Sequence, residues 1–186
     1  MGHSQEEKAE NHRKIVEVAA ARMRESGTDG PGVAEIMKEA GLTHGGFYKH
    51  FDSRDDLVAE AVEAAIEQGR EGFEAATADA EDPLAAFVDW YLSPDHRDDP
   101  ASGCAVVALG SDAARSDPRV RAAYRGQVER YLSHMEELLG GGEDARRRAI
   151  GAVTSMVGAM LIARAVDDEE LSEEILREAR AGVEGG

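Results

Sequence analysis

Cysteine is nearly missing from this chain. Cys104 is the single thiol in 186 residues, so no disulfide closes within it, and the redox compartment stays open. Long apolar runs are missing as well. None approaches the ~18 residues of a membrane-spanning helix, and the charged start Met1–Glu10 is not a signal peptide. The expectation is a cytoplasmic protein with no membrane partner. No stretch alternates apolar and polar residues long enough to make a strand, which leaves an all-α fold.

The patterns that carry catalysis are missing too. Gly140–Gly142 lacks both the lysine and the preceding strand of a phosphate-binding loop. His3, His12, His44, His50, His96 and His134 show no metal-ligand spacing. Asp98-Asp99 and Asp167–Glu170 read as solvated loops and helix starts. Neither a metal nor a cofactor is expected, and the chain is not expected to be an enzyme. The rival class is a hydrolase or transferase using Cys104 and a histidine, but Cys104 has no base near it in sequence.

What is present is a globular composition, 42% apolar, with a net charge of −17. That sign opposes duplex binding, yet the charge is unevenly spread. Residues 1–60 hold 8 Lys/Arg against 12 Asp/Glu, and the remainder holds 13 against 26. All four lysines (Lys8, Lys14, Lys38, Lys49) fall in the first 49 residues. Two accounts fit this asymmetry: an acidic second half that keeps DNA off the wrong face, and adaptation to a salt-rich environment. The composition is the same under either.

The most informative stretch is Val33–Phe51, V-A-E-I-M-K-E-A-G-L-T-H-G-G-F-Y-K-H-F. Val33, Ile36, Met37 and Ala40 recur at helical spacing, and Gly41 suits the stop of that helix. Thr43 is placed to cap a second helix, in which Phe47 and Phe51 bury one edge. Thr43, His44, Gly45, Gly46, Tyr48, Lys49 and His50 remain outward, a face suited to phosphates and base edges. The pair reads as a helix-turn-helix with its second helix as the reader.

G-L-T-H-G-G-F-Y-K-H-F followed by D-S-R-D-D-L resembles the DNA-binding domain of the tetracycline-repressor (TetR) family of transcriptional regulators. The resemblance implies a three-helix DNA-binding domain over residues 1–54, joined by a shared helix to a ligand-binding and dimerisation domain over 55–186, about nine helices in all. It implies that Thr43, Tyr48, His50 and Arg54 hold phosphates, while His44, Gly45, Gly46 and Lys49 approach base edges. Two positions depart from the family pattern. Gly32 replaces the usual Ser or Thr cap of the second helix, and Gly46 replaces Ser, Thr or Ala. The function implied is a homodimeric repressor that binds an inverted-repeat operator in double-stranded DNA and is released by an unknown small-molecule effector.

In chain order, Ser4-x-x-Glu7 is a capping box without apolar periodicity behind it and reads as frayed. A first helix follows from about Glu10 to Ser26, ended by Gly27. Ser53 caps the shared helix, which runs to about Ala78 with Gly69 and Gly72 lowering its propensity. Asp82-Pro83 and Asp117-Pro118 repeat a cap-then-proline start. Ser93–Ser102 reads as a loop, Gly103–Arg115 as one helix, and Gly140–Gly142 as a clean break. Arg146–Val166 is apolar nearly all round, and a final helix follows from a Ser172 cap.

The penultimate helix carries Gly151, Ala152, Ser155, Gly158 and Ala159, small residues that let another helix come close. With the family resemblance they mark a dimer seam through Ile150, Val153, Thr154, Val157, Gly158, Leu161, Ile175 and Ala179. Core filling within one chain is the plain alternative. The densest aromatics of the second half, Phe87, Trp90 and Tyr91 with Tyr124, Val128 and Tyr131, are the candidate effector pocket. Cys104 joins them as a helix N-terminal thiol near Arg97, a candidate for redox or electrophile sensing. Against that stands its ordinary role as a small buried hydrophobe.

Overall fold

Side-chain caps decide where most of the helices begin. Ser53 Oγ accepts from Asp56 N–H at 3.1 Å, Asp82 Oδ1 from Ala85 N–H at 3.1 Å and Asp117 Oδ1 from Arg119 and Val120 N–H at 2.7 and 3.0 Å. Each such bond satisfies an amide that the first helical turn leaves unpaired. The computed structural model describes residues 5–185 and holds nine α-helices, one 3-10 helix and no strand among them. They are α1 (Gln5–Ser26), α2 (Val33–Glu39), the 3-10 helix (His44–Lys49), α3 (Arg54–Thr77), α4 (Pro83–Tyr91), α5 (Pro94–Asp98), α6 (Ala105–Arg115), α7 (Pro118–Leu138), α8 (Ala145–Ala165) and α9 (Glu169–Glu184).

Four expectations are corrected. Helix α1 begins at Gln5, about a turn and a half before Glu10; Ser4 of the suggested capping box lies outside the described residues. The segment Ser93–Ser102 is not all loop, because Ser93-Pro94 is the same cap-then-proline start, with Ser93 Oγ accepting from His96 N–H at 3.1 Å to open α5. The last helix is capped by Asp168, whose Oδ1 accepts from Leu171 N–H at 3.0 Å. Ser172 is buried inside it, donating to Ala163 O at 2.9 Å and accepting from Arg97 Nη1 at 2.9 Å. Finally, α8 is long and apolar enough to cross a membrane by length and composition, with a mean hydropathy of 1.3, although no uninterrupted apolar run signals it.

Two cores organise the chain. The first joins Ile15, Ala19 and Met23 of α1, Ile36 and Met37 of α2, and Phe47, Phe51, Leu57, Ala61 and Ala65. It also takes in Ala105, Leu109, Ala113 and Val120, so α6 and the start of α7 lean on the same core. The second gathers Phe73, Phe87, Val88, Tyr91, Leu132, Met135, Met156, Met160 and Leu176 from α3, α4, α7, α8 and α9. Helix α3 serves both, and its glycines admit aromatic neighbours. A Cβ at Gly72 would lie 2.9 Å from the Trp90 ring, and one at Gly69 would lie 3.2 Å from the Tyr131 hydroxyl. The low-propensity residues of α3 are therefore packing positions.

Candidate nucleic-acid interface and regulatory core

The turn between α2 and the 3-10 helix needs a residue at positive φ, and Gly41 supplies it at φ 76°. Gly32 N–H is held by Glu35 Oε2 at 3.1 Å, one half of a capping box, though glycine offers no oxygen for the other half. After Gly41 the chain forms six residues of 3-10 helix rather than an α-helix, and Thr43 makes no side-chain cap bond. A segment that short has little stability of its own. Phe47, 2% exposed, anchors it in the first core and stacks with Phe51 at 5.4 Å.

Opposite that anchor, Thr43, His44, Gly45 and Lys49 are exposed, Gly46 is half-buried, and Tyr48 is 76% exposed. His50 is half-buried with its Nδ1 enclosed and unpartnered among the described residues, and burial, then the nearby His12, pushes its pKa down. His12 stacks on Phe51 at 4.6 Å and pairs with Glu60 at 2.7 Å. The charges of Lys8 and Lys49 both bear on His50. Arg54 points elsewhere: its Nη2 donates to Thr28 O at 2.5 Å, and Nη1 lies 3.7 Å from Asp29.

The connection from α1 to α2 is tied to the second half of the chain. Thr28 N–H donates to Asp112 Oδ2 of α6 at 3.2 Å. Arg24 Nε donates to Ala101 O at 2.5 Å, and its Nη2 to Gln68 Oε1 of α3 at 2.8 Å. These bonds link α6 and the turn before it to α1 and to the α1–α2 connection.

Of the aromatics expected to form a pocket, the fold brings together Phe87, Tyr91 and Tyr131. With Phe73, His134, Val153, Met156 and Val157, none of which sequence reading placed there, they surround a cavity of about 10 Å³. That is room for one water at most. Tyr91 is 2% exposed, its hydroxyl has no partner among the described residues, and burial raises its pKa far above the ordinary range. Trp90 instead lies parallel to His96 at 5.4 Å. Tyr124 donates to Val106 O at 3.0 Å, and Val128 packs on the edge of the second core. Val153 faces this interior, while Ile150, Thr154 and Leu161 face outward. Val157, Ile175 and Ala179 are half-buried against the second core.

Cys104 is 3% exposed, at the N-cap of α6, with Sγ 3.5 Å from the Tyr131 hydroxyl. Arg97 is turned away from it, toward Asp98, Glu169 and Ser172. The neighbour in its place is His96, whose Nε2 accepts from Cys104 N–H at 3.0 Å while Nδ1 bonds Tyr91 O at 2.6 Å. Both bonds require the neutral ring with its proton on Nδ1. Burial lowers the His96 pKa in the folded state. The unfolded chain therefore binds more protons just below the ordinary histidine value of about 6.5, and stability present above that pH is lost as pH falls toward the folded value. Urea unfolding at pH 7.5 and 5.5 is expected to show this loss, with a smaller difference in His96→Asn. An equal difference in the variant would assign the loss to other groups.

A short reading helix seated against α1 and α2, with a separate helical core behind it, defines a helix-turn-helix DNA-binding regulator. The family model for bacterial regulatory proteins of the tetR family matches residues 15–61. No curated protein matches the chain. Among solved structures, a TetR transcriptional regulator from Chloroflexus aurantiacus is 24% identical over 97% of both chains, with a TM-score of 0.82. One from Cytophaga hutchinsonii is 16% identical over 100% of this chain and 98% of its own, at the same TM-score of 0.82. The reduced form of E. coli NemR is 19% identical over 94% and 95%, with a TM-score of 0.79. At these identities the structural likeness is one of fold, and the family match is confined to residues 15–61. Residues 15–61 thus match the DNA-binding segment of the tetR family of bacterial regulatory proteins, and the whole chain shares its fold with solved TetR regulators.

Proposed function

We infer that this regulator is a homodimeric repressor whose two reading helices bind an inverted-repeat operator, with residues 1–54 as the DNA-binding unit and 55–186 as the effector and dimer unit. The observation that carries DNA reading is the outward face Thr43–Lys49 set on the buried Phe47 and Phe51. Effector binding would act by population shift, favouring an arrangement whose reading helices no longer match the half-site spacing. A mobility-shift assay on the promoter DNA upstream of the chain's own gene tests the reading. Absence of any shift at low salt would remove it.

Within that reading, Tyr48→Phe removes one phosphate-directed hydroxyl and is expected to weaken operator and random DNA alike. Lys49→Ala is expected to cost about 1–3 kcal/mol on operator only, the size of a base contact. Equal losses on both DNAs would move Lys49 to the backbone.

A second reading, redox or electrophile control through Cys104, is favoured by the 3.5 Å contact of its Sγ with Tyr131 and opposed by its burial. Operator release by a quinone that persists in Cys104→Ser would exclude it.

A further inference from the structure

The largest cavity described is not the aromatic one. It is a groove of about 610 Å³ between the end of α1, the α5–α6 turn and the α8–α9 connection. Its size falls within the range of small-molecule sites. Two of its arginines are unusual. Arg24 is 6% exposed, bonds only the neutral acceptors Ala101 O and Gln68 Oε1, and its buried Nη1 has no partner among the described residues. Arg164 bonds only backbone carbonyls, those of Arg97 at 3.0 Å and His96 at 2.5 Å. Burial works against the charge on both.

Both arginines lie against the segment 96–103. Arg24 bonds Ala101, and a Cβ at Gly103 would lie 2.5 Å from Arg164 Nη2. The carboxylates around the groove are mostly engaged: Asp98 and Glu169 with Arg97, Glu25 with Arg22, and Asp168 with the first turn of α9. Asp99 is the carboxylate whose charge bears on both arginines, yet neither makes an ion pair among the described residues, a costly arrangement for two largely buried guanidiniums. A bound anion would relieve it.

We propose that this groove binds a small organic monocarboxylate, its carboxylate held by Arg24 and Arg164 and its apolar tail lying along Val107, Ala108 and Val166. A guanidinium fork matches a carboxylate in two parallel bonds. Asp167, Asp168 and Glu169 at the rim disfavour a ligand of higher charge such as a nucleotide. Because Arg24 belongs to α1 and bonds the turn before α6, an occupied groove pulls on the element that positions the reading helix. The proposal names the effector class of the repressor reading and rests on that reading for its regulatory consequence alone.

The probe is sodium octanoate on the full chain, with octan-1-ol as its uncharged counterpart. Calorimetry is expected to give octanoate an affinity at least about tenfold above octanol, and Arg24→Gln and Arg164→Gln are each expected to lose about tenfold of it. Should either variant fold poorly, side-chain Nε–H signals of the unaltered protein serve in its place: those of Arg24 and Arg164 shift with octanoate and not with octanol. Equal affinity for the two probes, or unmoved arginine signals, overturns the proposal. A mobility shift on the same samples separates the two readings. Operator bound without octanoate binding leaves the repressor and removes this site. Arginine shifts without any operator binding leave the site and remove the repressor.

Discussion

Gly158→Leu is expected to leave a folded monomer that has lost operator binding. A Cβ at the half-buried Gly158 has nothing of its own chain within 4 Å, so the first carbon of a side chain there meets no obstacle in the protomer. In a helix interior the exchange favours folding by about 0.5–1 kcal/mol. A loss of dimer with the fold retained would then come from contacts outside the chain. The surrounding face points to a second copy: Ile150, Leu161, Ile162 and Leu171 are 44%, 53%, 50% and 43% exposed, all on α8 and α9. Only 33% of the apolar window of α8 is buried within one chain. Small residues at such a seam let helices approach closely, and a leucine side chain would hold them apart. With one half-site per protomer, losing the dimer costs the gain of double attachment, on the order of 10²–10⁴ in operator affinity. Light scattering reads the oligomer and a mobility shift reads the operator. An unchanged dimer would place the interface elsewhere.

The reading segment was legible because short-range chemistry determines it. Gly41 must take positive φ, Phe47 and Phe51 lie one turn apart on the buried edge, and Ser53 caps the next helix through Asp56. The helical type of the segment was not legible, since 3-10 and α geometry share the same anchors over six residues. Helix α5 was written in Ser93-Pro94, but the charged run after it masked the signal. The Ser172 error has a different cause. A serine before acidic residues looks like a cap, yet its hydroxyl bridges Arg97 and Ala163, partners 75 and 9 residues away.

Distance in sequence also hid the groove. Arg24 and Arg164 carry no sequence motif, and Arg97 stood out only as a neighbour of Cys104. Only the packing of α1, α5 and α8 brings them to one cavity and shows that two of them lack ion pairs. The aromatic residues were found as a group, and three of them, Phe87, Tyr91 and Tyr131, line one cavity. Phe73 and His134 close around Phe87 and Tyr131, so the cavity there holds at most a water, and a ligand at that place would require α4 and α7 to separate.

Phe47→Ala is expected to abolish DNA binding, specific and non-specific together, while the second core stays folded. The 3-10 helix His44–Lys49 has six residues and no side-chain cap. Its position therefore depends on Phe47, 2% exposed, together with Phe51. Truncating a buried phenylalanine costs about 3–5 kcal/mol, against a total domain stability of about 5–15 kcal/mol. Applied to an element with little stability of its own, even 3 kcal/mol lowers the population of the seated reading face by about a hundredfold. The second core does not contain Phe47, and its anchors Phe73, Phe87 and Met160 are untouched. Trp90, the chain's single tryptophan, lies at the edge of that core and reports its unfolding separately. The variant is expected to keep the denaturant midpoint of the Trp90 fluorescence transition while operator and random DNA both fail to shift. Operator binding retained within a few-fold would mean that α2 and Phe51 alone seat the reading helix.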